Sequence, residues 1–467
     1  MALTFGLIVG NRNFFPDSLA QSGRERMLKI LEKAGYNVVC LSSEDTKYGT
    51  VETREDAKKC AQLFKENSDK IDGIIVTLPN FGDEKGVAEA IRLSGLNVPV
   101  LVHAFPDDIN TLDITHRGDS FCGKISVCNN LVQYNIPFSL TKVHTINPED
   151  DIFTEDLQWF AGVCNVVKGL KNIKVGAVGV RPGGFNTVRF SEKILERYGI
   201  SVEVIDLSEI LYRMKGLSID NSSVKEKIEE VRSYCSTSQI PLEKIQTMAK
   251  LSITIEDWMR ENDIVATAIQ CWTSIEYNLG IMPCSIMSMM SDKLHPSACE
   301  VDITGALAMY ALQCASGSPS ALVDWNNNYN GELDKAILFH CGNFPKSIFE
   351  SCIMKYGDVI GGTVGYENAY GGLTGNVKPG PFTFARLTTD DNQGKLKAYV
   401  GEGEITKDRI NTYGAWGVAY IPKLQELLQF ICKNGYEHHV AINRSQVARV
   451  IYEAFSNYLG IDVYWNS

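Results

Sequence analysis

From its first residues the chain alternates short apolar runs with amphipathic stretches: Phe5–Val9, a helical pattern through Glu25–Lys33, Val38–Leu41, a second helical pattern through Ala57–Phe64, then Gly73–Leu78 and Val98–Val102. Strands joined through helices run parallel, because each crossover returns the chain to the same sheet edge, and the helices cover the sheet faces. The pattern predicts an α/β domain of flavodoxin-like form over residues 1–155. Such sheets bind ligands outside the carboxyl ends of their strands. The loops Asn11–Phe15, Asn80–Asp83 and Phe105–Asp108 are therefore candidate binding edges.

A polar connection between Thr141 and Asp156 leads into a second alternating unit, predicted as a central α/β domain over 156–350. It begins with the run Lys174–Val180, a helix near Thr187–Arg197 and a return strand at Val202–Asp206. Helical periodicity marks Val224–Ser233 and Leu242–Arg260, Ile264–Ile269 reads as a strand, and Asp302–Cys314 reads as a helix with Asp302 favouring its positive amino end. Ala321–Asp324 and Ala336–His340 are expected to close this unit. After Gly357 the glycines at 361, 362, 365, 371, 372, 375 and 380 punctuate short alternating segments, which predicts antiparallel strands and tight turns. The expected fold class is α/β: two doubly wound parallel-sheet domains, then a β-rich C-terminal domain over 351–467 ending in a helix at Gln446–Tyr458.

Charge narrows the partners. A formal net charge of -11 without a local basic stripe opposes nucleic acid and anionic membrane surfaces. No apolar run approaches the ~18 residues of a membrane span. The opening Met1–Gly10 lacks a basic leader and reads as a first strand, not a signal peptide. Thirteen cysteines lie scattered without zinc-type spacing, as expected of free thiols in a cytoplasmic protein. A small-molecule partner is the remaining class.

Five residues carry the chemistry: Glu300, Asp324, His340 and the pair His438-His439, most of them at one end of an apolar, strand-like run. Carboxylates and imidazoles together suit a divalent ion such as Mn²⁺, and no thiolate in the set would select zinc or iron–sulfur chemistry. Each residue has an ordinary structural role when taken singly. Glu300 fits a helix start, Asp324 a strand-end turn, and one of two adjacent histidines points away in an extended segment. His340, before Cys341-Gly342-Asn343, projects into a sheet-edge cleft. Arg181-Pro-Gly-Gly lacks the glycine spacing of a dinucleotide site and reads as a tight strand-to-helix turn.

The segments Ala298-Cys-Glu300-Val-Asp-Ile-Thr-Gly305 and Leu322-Val-Asp324-Trp-Asn-Asn, their carboxylates 24 residues apart, resemble the acidic metal-ligand segments of L-fucose isomerases. His340 and His438-His439-Val resemble the histidine-ligand segments of L-arabinose isomerases. This likeness covers most of the chain, which is shorter than bacterial L-fucose isomerases and looks closer to a fucose-isomerase-like branch that includes sulfoquinovose enzymes. It implies a metal-dependent aldose–ketose isomerase of a free sugar (an L-fucose-like deoxy sugar, a pentose or sulfoquinovose) working through an enediol. By the same likeness Mn²⁺, or another divalent ion, is held by Glu300, Asp324 and His439, with His340 a fourth ligand or a neighbour. Glu300 and Asp324 are the implied acid/base groups. Arg12, Gln270, Trp272, Trp416 and His438 are the substrate candidates. A homo-oligomer is also implied, with the active site near a subunit interface and Arg12 acting in its own or a neighbouring subunit.

Two other classes compete. A non-catalytic sugar-binding protein needs no carboxylate pair beside histidines. A metal-dependent aldolase or hydrolase on a sugar phosphate needs a phosphate cradle of backbone donors, for which Gly183-Gly184 is the one faint candidate.

Overall fold

The computed structural model describes residues 2–467 and divides into two compact units. The first comprises residues up to Lys168 together with Glu453–Gly460. Its five strands, β1 (Thr4–Val9), β2 (Asn37–Val39), β3 (Gly73–Leu78), β4 (Val100–Ala104) and β5 (Ser139–Leu140), form a wholly parallel sheet of order β2-β1-β3-β4-β5. All six residues of β3 are buried, which is why Gly-Ile-Ile-Val-Thr-Leu shows no alternation: a central parallel strand is covered on both faces. The late segment Glu453–Gly460 belongs here because the Tyr458 hydroxyl meets Ser139 Oγ at 2.7 Å and Asn457 donates to the Phe138 carbonyl.

The second unit, Gly169–Tyr452 and Ile461–Ser467, holds two sheets. β6 (Ile173–Val178), β7 (Ile200–Ile205), β8 (Ile264–Ile269) and β9 (Ser297–Ala298) make a parallel sheet of order β7-β6-β8-β9. The rest is a nine-stranded mixed sheet built from β10 (Ser320–Tyr329), β11 (Glu332–His340), β12 (Phe349–Tyr356), β13 (Tyr370–Val377), β14 (Gly380–Asp390), β15 (Lys395–Ile405), β16 (Ala415–Tyr420), β17 (His439–Asn443) and β18 (Asp462–Asn466). Its order is β12-β13-β16-β11-β10-β17-β14-β15-β18, and a further β15–β16 pairing closes the six strands from β16 to β15 into a ring. The helix Ile303–Ser316 packs on β6 and β8 of one sheet and on β10, β14 and β17 of the other. It is apolar nearly all round, as a helix between two sheets must be.

The expected fold class, two parallel-sheet layers followed by a β-rich region, is the observed one. One strand reading changes. Ala321–Asp324 and Ala336–His340 do not close the central parallel sheet; they belong to β10 and β11, an antiparallel pair at the heart of the large sheet. The start of β10 is buried on both faces and the end of β11 is buried or half-buried throughout, so their apolar runs look like parallel core strands, and period alone does not separate the two. Asp324 consequently lies within a ten-residue strand instead of ending one.

Candidate metal centre

Three adjacent strands and one turn build the site. β17 lies against β10 in an antiparallel register that sets His439 opposite Asp324, and β11, ending at His340, lies on the other side of β10. Directly opposed residues of antiparallel strands project from the same face. Glu300 arrives from the turn between β9 and the helix Ile303–Ser316. Glu300 (φ 54°) and Val301 (φ 56°) both take the left-handed conformation there. For a β-branched residue this costs about 1–3 kcal/mol and persists where the surroundings enforce it.

The polar atoms converge. Glu300 Oε2 lies 3.6 Å from His340 Nε2 and 3.7 Å from His439 Nε2, and Asp324 Oδ1 lies 3.4 Å from His439 Nε2 and 3.6 Å from His438 Nε2. Glu300, His340 and His439 form one group of potential ligands, and Asp324, His438 and His439 another, within 4.8 Å in each case. Glu300 Oε2, Asp324 Oδ1 and His340 Nε2 are buried without a hydrogen-bond partner. Leaving such groups unsatisfied is costly, and a dication beside the two carboxylate oxygens satisfies both, with the His439 nitrogen they face as a further donor. The donor set fits a divalent metal.

The two buried histidines differ in tautomer. His439 Nδ1 lies 2.9 Å from Asp302 Oδ2 and donates to that carboxylate, which leaves the Nε2 lone pair facing Glu300 and Asp324. His340 Nδ1 instead accepts from the Cys341 amide at 2.9 Å, so in the neutral ring the proton sits on Nε2, toward Glu300. Asp302 in turn is held by Arg386, whose Nη1 and Nη2 reach its two oxygens at 2.5 and 2.9 Å. Arg386 also donates to Thr304 Oγ1 and to Glu437 Oε2, all within the core. Gly305 makes room for this cluster, since a Cβ there would meet Asp302 Oδ2 at 2.4 Å.

Burial pushes the Glu300 carboxyl up to about 7, with the His439 charge opposing and the Asp324 charge assisting; burial likewise pushes Asp324 up to about 6. Burial alone would raise Asp302 as well, but the Arg386 charge and the His439 hydrogen bond hold it far below the usual carboxylate range. For His439 burial works against protonation, yet the Asp302 bond and the surrounding carboxylates raise its pKa overall. Burial lowers His340 strongly and His438 to about 4.

The other expected site residues scatter. His438 precedes β17, so it does not turn to the opposite face as strand alternation predicts; its ring stays beside Asp324 and 5.4 Å from Phe185. Trp272 is 41% exposed and packs on Phe185, which also touches the His439 ring. Gln270 spends its amide on the backbone, accepting from Val180 N–H and donating to the Trp272 carbonyl. Gly179, in left-handed geometry, permits that approach. Trp416 is 8% exposed in β16, opposite Phe339. Arg12, in the first unit, pairs with Glu84 and lies over the Phe81 ring.

Sequence reasoning missed Asp302 as the histidine's partner, Arg386 as its anchor, and Phe185. An arginine in the apolar run Phe382-Thr-Phe-Ala-Arg386 was the available signal, because a charge in a buried strand must find a counter-charge.

Comparison with known proteins identifies the family. Residues 6–171 match the N-terminal domain family of fucose/sulfoquinovose isomerases, and residues 338–466 match the L-fucose isomerase C-terminal domain. The chain belongs to the fucose-isomerase-like family. As a member it is an enzyme of the aldose–ketose isomerase class. It is similar to the sulfoquinovose isomerase of Alkalicoccus urumqiensis (24% identity over 309 residues, 66% of this chain and 68% of that protein). It is also similar to those of Clostridium sp. strain MSTE9 (26% over 206 residues, 43% and 45%) and Priestia aryabhattai (23% over 274 residues, 58% and 59%). Among the described residues no helix is long and apolar enough to cross a membrane.

Proposed function

We propose that this family member is a divalent-metal-dependent isomerase that interconverts the aldose and ketose forms of a free sugar through an enediol, with sulfoquinovose as the first substrate to test. The observation that carries the reading is the convergence of unsatisfied, buried Glu300 and Asp324 oxygens on the free nitrogen of His439. Glu300, Asp324 and His439 would hold the ion, and Mn²⁺ suits their oxygen and nitrogen donors. When bound, the ion supplies Lewis-acid stabilisation of negative charge on the sugar oxygens at C1 and C2.

Moving a proton between C1 and C2 requires one group to take it from carbon and others to serve the hydroxyls. Glu300 and Asp324 share that work, one at carbon and the other at oxygen. His340 is read as a proton-bearing neighbour of Glu300, not as a ligand, because its Nδ1 is already an acceptor. Asp302 and Arg386 orient His439 without touching substrate. Trp272, Phe185 and His438 offer ring faces to the sugar, and Gln270 holds the Trp272 backbone.

The sulfosugar is favoured by the names of the relatives. Arg181, in the loop that carries Phe185, supplies a cation of the kind a sulfonate needs. The thirteen unbridged cysteines support a reducing, cytoplasmic setting. Exposed Phe14, Ile109 and Ile114 on the carboxyl-end loops of the first unit support assembly with further copies, in which Arg12 would serve its own or a neighbouring site.

The test is one panel: metal-stripped protein, the same protein with Mn²⁺, Mg²⁺ or Co²⁺ restored, and sulfoquinovose, L-fucose and L-arabinose each assayed for ketose. Turnover of sulfoquinovose that requires the restored ion is expected. Metal-independent turnover, or none with any aldose, defeats the reading.

A further inference from the structure

Glu300 has a second side. Cys271 follows β8 and Cys299 follows β9, and both are buried. The Cys271 and Cys299 sulfurs lie 3.0 Å apart. Ligand atoms of Cys271, Cys299 and Glu300 all fall within 4.8 Å of one another. The Glu300 Oε2 faces the imidazoles on its other side.

A tetrahedral ion with metal–sulfur bonds of about 2.3 Å holds its ligand atoms roughly 3.7 Å apart. The spacings here, from 3.0 Å to within 4.8 Å, bracket that value. Sulfur donors select soft d¹⁰ ions, whereas the imidazole and carboxylate group across Glu300 suits a harder one.

We propose that Cys271 and Cys299, together with Glu300, form a second cation site for a thiophilic dication such as Zn²⁺ or Cd²⁺, back to back with the histidine-bearing centre. Binding replaces the Cys271 and Cys299 thiol protons, which pass to solvent, and leaves two thiolates and the carboxylate around the ion. Glu300 serves both sites, and two nearby dications repel, so filling one site opposes filling the other. A soft ion is therefore an inhibitor. That consequence rests on the isomerase reading; the site itself does not.

Cadmium provides the test, using the full chain with the exposed Cys122 and Cys432 changed to serine so that they do not compete. The expected result is one ¹¹³Cd resonance in the downfield range of sulfur-rich ligation, with a matching thiolate-to-cadmium charge-transfer absorption. Mn²⁺ binding should weaken about tenfold or more when this signal is present. Cys299→Ser should abolish both signatures; should that variant not fold, Cys271→Ser should abolish the charge-transfer band and move the resonance upfield. A resonance only in the oxygen and nitrogen range, or a charge-transfer band unchanged by these substitutions, overturns the proposal. A sulfur-rich signal in a protein that isomerises no aldose leaves this site standing and removes the isomerase reading instead.

Discussion

His439 Nδ1 lies 2.9 Å from Asp302 Oδ2, and that same carboxylate is gripped by the buried Arg386 guanidinium. The chain Arg386–Asp302–His439 fixes which imidazole nitrogen is free. Partners of this kind typically contribute about 10–100-fold to metal affinity. Asp302→Asn should weaken Mn²⁺ binding by that order, read by titration calorimetry, while the fold persists. Arg386→Met, which strands Asp302 and Glu437 in the core, should cost roughly 3–5 kcal/mol of stability by denaturant unfolding.

Glu300→Gln and Asp324→Asn keep side-chain volume and remove charge. Each should lower kcat at least about a hundredfold, the usual scale for losing an acid/base group, with an unchanged circular dichroism spectrum. Full turnover in either variant would remove that residue from catalysis.

His340 and His439 should separate by readout. His340→Asn is expected to keep Mn²⁺ affinity within about threefold while turnover falls roughly 10²-fold or more. His439→Asn should lose the ion itself. Electron paramagnetic resonance of free Mn²⁺ beside a ketose assay distinguishes the two.

Metal affinity should depend on pH. Burial raises Glu300 to about 7 and Asp324 to about 6, so below those values protons occupy the oxygens the ion needs. The apparent Kd should rise about tenfold per pH unit for each proton displaced, steepening from pH 7 through 6. Proton release on Mn²⁺ addition, measured in weak buffer, checks the sign.

Glu276 is fully buried, neither oxygen has a partner, and burial pushes its carboxyl up to about 8 from 4.5. An acid raised on folding contributes no penalty below its unfolded value, and stability is lost as pH climbs from 4.5 through 8. Glu276→Gln should flatten that slope and raise stability above pH 8 by on the order of 1–3 kcal/mol. Urea unfolding of both proteins at pH 5 and 8.5 measures it.

The parallel sheets were legible because βαβ periodicity is local, and the acidic and histidine residues were legible because their types and order are unusual. Other features depended on long-range pairing. Nothing near Asp324 reveals that it faces His439 across 115 residues of chain, a register set only when β10 meets β17. Asp302 looked like an ordinary helix start and is one, accepting from the Gly305 N–H at 2.8 Å. Its second duty, to His439, comes from elements distant in sequence. The β-rich texture after Gly357 was visible, but not that the ring begins earlier, at β10.

Because His439 opens β17, the proposed centre is completed only after both carboxylates and His340 have left the ribosome. A nascent chain halted before residue 439 has both carboxylates, the thiols and His340, yet lacks the imidazole that Asp302 aims. On the proposed ligand set, capture of the ion would report that synthesis has passed this strand.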